Sequence, residues 1–134
     1  MTRSERSAAQ GCVFCAIAAR QAEASVAYED ETVVAFMDLH PVTPGHLLVV
    51  PRGHAVGLED LDAATGAHVW SVGHAMARAL RRSTLRCEGI NVLVCDGEVA
   101  FHRPQRGGRL AGLERFHGQS VELEPELFHP RLRV

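Results

Sequence analysis

Residues 41–54 read Pro41-Val42-Thr43-Pro44-Gly45-His46-Leu47-Leu48-Val49-Val50-Pro51-Arg52-Gly53-His54, and this stretch decides the fold. Pro44 presets the second position of a turn, and Gly45 supplies positive φ at the third, which is the type II pattern. The turn feeds Leu47–Val50, a continuous apolar run closed by Pro51. Such a run predicts a strand buried on both faces. Pro51–Gly57 is a second loop.

Working towards the N-terminus, Val26–Glu29 and Val33–Met37 predict two strands joined through Asp30-Glu31, a hairpin. Cys12–Arg20 is short and helix-compatible, with Val13, Phe14 and Ile17 on its apolar side. Residues 1–10 are a polar lead-in. Towards the C-terminus, Asp60 or Asp62 can cap a helix near 62–84. Val69, Val72, Met76 and Leu80 form one stripe of that helix. Arg78, Arg81, Arg82 and Arg86 cluster near its end, where positive charge meets the helix dipole favourably. A fourth strand is expected at 90–94. Strands, one long helix and a further strand make an α+β class.

Composition closes off other classes. The chain has 134 residues, 46% hydrophobic and 22% charged, with a net charge of −2. That suits one globular domain with its own core. The mild acidity argues against a general nucleic-acid or acidic-membrane partner. Aromatics, at 5%, are too few for a single-strand stacking platform. All fourteen basic side chains are arginine, as a GC-rich coding gene would favour. The N-terminus has no apolar secretory core, and no apolar run approaches the ~18 residues needed to span a bilayer. A cytoplasmic protein with reduced thiols is the expectation.

Cys12-Val13-Phe14-Cys15 has the C-x₂-C spacing. Two thiolates so placed can grip one zinc, with further ligands from elsewhere. The other readings are two small buried residues or a redox pair; the last needs a preceding βαβ context that is missing here. Of the eight histidines, none forms an H-x-H pair on a strand. His54, after a strand and a loop, is the best third zinc ligand. Asp38 ends an apolar strand at its rim. It is either an ordinary turn carboxylate or an acceptor for ribose hydroxyls, as acidic residues are in other nucleotide sites.

Together these residues resemble the histidine triad (HIT) family. The likeness runs through Cys12–Ile17, Tyr28-Glu29-Asp30, Ala35–Asp38 and the whole 41–54 block, then Gly89-Ile90-Asn91 and Asp96-Gly97-Glu98. The resemblance implies an α+β fold, an antiparallel sheet with one long helix packed on it, often as a homodimer. It implies binding of purine nucleoside monophosphates or their conjugates, and nucleotidyl hydrolysis or transfer. By the same resemblance Phe14, Ile17, Phe36 and Leu39 line the base pocket, and Asp38 holds the ribose. Cys12, Cys15 and His54 would ligate zinc, with water or a tail histidine such as His102 as the fourth ligand.

The resemblance covers residues 11–101, a HIT-like domain. It also implies an H-x-H-x-H strand whose central histidine attacks the α-phosphorus. Counting on from Phe101, the three histidines should fall near 106, 108 and 110. Those positions hold Arg106, Gly108 and Leu110. Residues 102–134 therefore form a diverged tail replacing the triad strand, rich in Arg, Gly and Pro. Two origins fit it: a frameshifted reading of a GC-rich gene, or a true diverged ending. The tail is expected to be irregular, or to replace the strand poorly, although Val121–Leu123 alternates briefly. The resulting expectation is a nucleotide-binding protein of nucleotidyl hydrolase/transferase type with impaired catalysis. The alternatives are a non-enzymatic, zinc-stapled nucleotide-binding or interaction module, and a thiol-redox protein.

Overall fold

The computed structural model describes residues 11–38, 41, 43–96 and 120–127. Along the chain run α1 (Val13–Ala18), β1 (Val26–Glu29), β2 (Val33–Met37), β3 (Leu47–Pro51), a single 3₁₀ turn (Leu58–Asp60), α2 (Ala63–Arg82), β4 (Cys87–Cys95) and β5 (Ser120–Leu127). The five strands form one sheet in the order β1-β2-β3-β5-β4, with each neighbouring pair antiparallel. The α+β class and the long helix on an antiparallel sheet are as expected.

The 41–54 block folds as its residues dictate. His46 N donates to Thr43 O at 3.1 Å, closing the turn, and Gly45 sits at φ +85°. A second constraint excludes a side chain there. A Cβ on Gly45 would stand 2.4 Å from Leu85 Cδ1 and 3.1 Å from Pro125 Cγ. β3 then runs down the middle of the sheet with all five residues buried.

Period-two alternation divides β2 and β3 between two cores. Val33, Ala35, Leu47 and Val49 face α2, with Val69, Val72, Leu80, Val121 and Leu123. Val34, Phe36, Leu48 and Val50 face the other way and are covered by Phe14 and Ile17 of α1. Asp62, rather than Asp60, caps α2, accepting from Thr65 N at 3.0 Å. Asp60 instead closes the preceding loop, accepting from Val56 N and Gly57 N.

Asp30 ties the hairpin to the long helix. Its carboxylate accepts from Thr32 N and Val33 N at 2.8 and 2.9 Å, and from Tyr28 Oη at 2.8 Å. His68 of α2 approaches it at 2.6 Å. Arg52 closes the same corner, donating to Ala18 O, Asp30 O and Glu29. The α1 end and the β1–β2 turn are thereby fixed to the exit of β3.

The described part of the tail, residues 120–127, is a strand rather than irregular. Ser120–Leu127 is a strand of eight residues, paired with β4 along its length and with β3 at Val121–Leu123. Val121, Leu123 and Pro125 are buried. These residues fill the α2 side of the sheet, and burial on that side outweighs the poor strand propensity of proline. Pro125 lies past the end of the β3–β5 ladder, where a missing N–H costs least. The segment 103–110, where a poor strand was expected, lies outside the described residues.

Candidate nucleotide and metal site

The α1-facing side of the sheet carries the residues singled out in the sequence. Register places Phe36, Leu48, Glu122 and Leu93 in one row across β2, β3, β5 and β4. The next row follows from the same pairing. Asp38 N donates to His46 O at 2.9 Å, and Glu124 lies opposite Asn91. Asp38, His46, Glu124 and Asn91 thus follow one another across the sheet, beside the apolar patch.

That patch is built by α1. Phe14 and Ile17 are buried against Val34, Phe36, Leu48 and Val50, with the Phe14 and Phe36 rings 5.8 Å apart and tilted by 58°. Phe14, Ile17 and Phe36 are therefore brought together, and Asp38 stands at the patch's polar edge, half-buried. Leu39 and His102 lie outside the described residues.

Cys12, Cys15 and His54 also converge. Their donor atoms lie within 4.8 Å of one another. Cys15 Sγ is 3.2 Å from His54 Nδ1, close to the separation of about 3.5 Å that tetrahedral zinc with ordinary Zn–S and Zn–N bonds imposes. Burial, and then the neighbouring Cys12 thiol, push the Cys15 thiol up to about 11. A Cys15 thiol so disfavoured as an anion needs a cation to bring it to the thiolate form. The donor set therefore fits zinc. Cys87 and Cys95 are buried and in no disulfide, ordinary small core residues.

The structure adds residues that the sequence reading missed. Glu122 and Glu124 reach His46, and one donor atom from each of the three lies within 4.8 Å of the others. His46 Nε2 is 3.3 Å from Glu122 Oε2, and Nδ1 is 3.8 Å from Asp38 Oδ2. Burial alone would pull the His46 imidazole down, but Glu122, then Asp38 and Glu124, hold it above its usual value. The overlooked signal was alternation: glutamates at 122, 124 and 126 repeat at the strand period. The same spacing recurs at His129, Arg131 and Arg133, outside the described residues.

The chain matches the HIT domain family over residues 19–103. It belongs to the HIT family. An uncharacterised HIT-like protein of Mycobacterium tuberculosis is 40% identical over 90 residues, covering 67% of this chain. The chain spans 62% of the length of that relative. A zinc-bound histidine triad family protein from Mycobacterium smegmatis has a similar structure, with TM-score 0.74 and 34% identity, covering 92% of this chain and 81% of that one. A hypothetical histidine triad nucleotide-binding protein from Sulfolobus tokodaii follows at TM-score 0.68 and 29% identity, covering 88% and 70%. The fold is thus that of the HIT family. No helix among the described residues is long and apolar enough to cross a membrane.

Proposed function

We propose that this HIT protein binds a purine nucleoside monophosphate or its conjugates on the α1-facing side of the sheet, and that its nucleotidyl hydrolase/transferase chemistry is impaired. One observation carries the reading. An apolar patch of Phe14, Ile17 and Phe36 adjoins the Asp38 carboxylate, and glutamates, rather than histidines, line the strand that comes next. The base would lie against the patch, and the ribose hydroxyls would donate to Asp38.

The phosphate end is where the chemistry fails. HIT-type transfer needs a neutral imidazole as nucleophile and donors for the charge that develops on phosphate. Glu122 and Glu124 are acceptors only, and as anions they repel the phosphate. This supports the view that residues 102–134 replace the triad strand of a HIT-like domain at 11–101. The role of Cys12, Cys15 and His54 would be to hold zinc as a staple, fixing α1 and so the base patch. In an intracellular, reducing setting the thiols stay available for it. Among the described residues β4 is the edge strand of the sheet and exposes Val92 and Val94, which supports a homodimer formed across that edge.

The deciding assay combines AMP binding with turnover of an AMP phosphoramidate. Detectable binding with turnover several orders of magnitude below an intact HIT enzyme is expected, as when a cooperating catalytic unit is lost. Robust turnover through a nucleotidylated histidine, at His46, His102, His117 or His129, would overturn the impaired-catalysis reading. Binding with no turnover at all would favour the non-enzymatic, zinc-stapled module.

A further inference from the structure

His46 is 3% exposed, and neither of its ring nitrogens makes a hydrogen bond among the described residues. Nε2 is close to Glu122 but off the line of a hydrogen bond. A buried imidazole without such partners is costly and calls for an explanation. Glu122 is equally unusual, a carboxylate only 7% exposed. Buried carboxylates are normally paired or coordinate metals. The cation that Glu122 meets among the described residues is His46, and Glu124 adds a second negative charge to the same spot. Even with the imidazole protonated, two glutamates leave the cluster negative.

We propose that His46, Glu122 and Glu124 hold a divalent cation, at a site separate from the Cys12–Cys15–His54 set. The donor atoms are already gathered within 4.8 Å. Bonds of about 2.0–2.2 Å place donors at most about 4.4 Å apart across one ion, so a small closure completes the site. The donor chemistry selects the ion. Two carboxylate oxygens and one imidazole nitrogen suit a hard or borderline cation such as Mn²⁺, whereas the thiolate pair selects zinc. The strand period supplies the geometry. Residues 122 and 124 share one face of β5, and β3 brings His46 alongside them.

The consequence for function rests on the nucleotide reading above: a cation here would turn a face that repels phosphate into one that accepts it. The test of the site itself uses no nucleotide, so the two readings fail separately. Protein carrying one equivalent of zinc is titrated with Mn²⁺, and the free-ion paramagnetic signal is followed. One Mn²⁺ per chain is expected to bind. Glu122→Gln and Glu124→Gln should each weaken it by at least about tenfold, since even outer-shell changes cost metal sites that much. In cobalt-loaded samples of both variants the thiolate–cobalt absorption should be unchanged, showing a folded chain with the cysteine site intact. Spin-echo detection of an imidazole nitrogen on the bound Mn²⁺ in the unsubstituted protein is independent of any variant's folding. Absence of Mn²⁺ binding, binding indifferent to both glutamates, or bound Mn²⁺ with no imidazole nitrogen would each overturn the proposal.

Discussion

Replacing Gly45 by alanine should destabilise the protein without changing its fold, and the size of the effect can be worked from two terms. The backbone there is at φ +85°, where an L side chain costs roughly 1–2 kcal/mol. The added Cβ would also stand 2.4 Å from Leu85 Cδ1 and 3.1 Å from Pro125 Cγ. Overpacking of this kind costs about 1–3 kcal/mol. Leu85 is only half-buried, and its methyl can swing aside, so the lower end of that range applies. The sum is roughly 2–3 kcal/mol, or about 6–15 °C in Tm for a domain of this size. Gly66→Ala is the matched control. Gly66 lies within α2, and a Cβ there meets nothing within 4 Å. That change should stabilise by up to about 1 kcal/mol, the helix-propensity gap between the two residues. Denaturant unfolding of both variants beside the unsubstituted protein gives the comparison. A Gly45→Ala midpoint equal to that of the unsubstituted protein would show that the turn is not held at positive φ and that the argument placing His46 is mistaken.

Asp30 gives a pH prediction. Contact with His68, and then the Thr32 and Val33 amides and the Tyr28 hydroxyl, holds its carboxyl well below the usual carboxylate range. Its stabilising contribution is therefore present above the unfolded carboxyl value, about 4, and is lost as pH falls below it through the folded value. Urea midpoints of Asp30→Asn should lie below those of the unsubstituted protein near neutrality and converge with them in acid; a gap that widens in acid would reverse the sign. Chelation of zinc, or Cys15→Ser, should lower Tm and loosen α1, with Phe14 and Ile17 amides exchanging faster with solvent, while α2 amides remain protected; equal loosening of both helices would count against a local staple. Phe36→Ala removes a buried ring and should destabilise by about 3–5 kcal/mol, and in whatever fraction remains folded AMP affinity should fall; unchanged affinity would remove the base patch from the nucleotide reading.

Much of the fold was legible because its causes are local. Pro44-Gly45 dictates a turn wherever it sits, and Asp62 caps a helix with its own carboxylate. The switch of apolar period from two to 3.6 marks β2, β3 and α2 regardless of their neighbours. The convergence of Cys12, Cys15 and His54, which the HIT resemblance implied, is seen in the structure. β5 was not legible in the same way. Ser120–Leu127 contains a proline, sits in an arginine- and glycine-rich tail, and shows only a short alternation. What makes it a strand is a vacant position between β3 and β4 and an apolar face of α2 for Val121 and Leu123 to cover.

The sequence by itself determined α1, α2 and the strands β1 to β4, the C-x₂-C pair, the turn before β3 and membership in an α+β class, since each follows from residues within a few positions of one another. Only the tertiary structure decided what stands beside His46. A period of two says that Glu122 and Glu124 share a face, but not which face or which strand lies next to them. That follows from the antiparallel register of β3 with β5, fixed by burying Val121 and Leu123 against α2. The same register turns the two glutamates to the α1 side and sets them against a histidine far away in the chain.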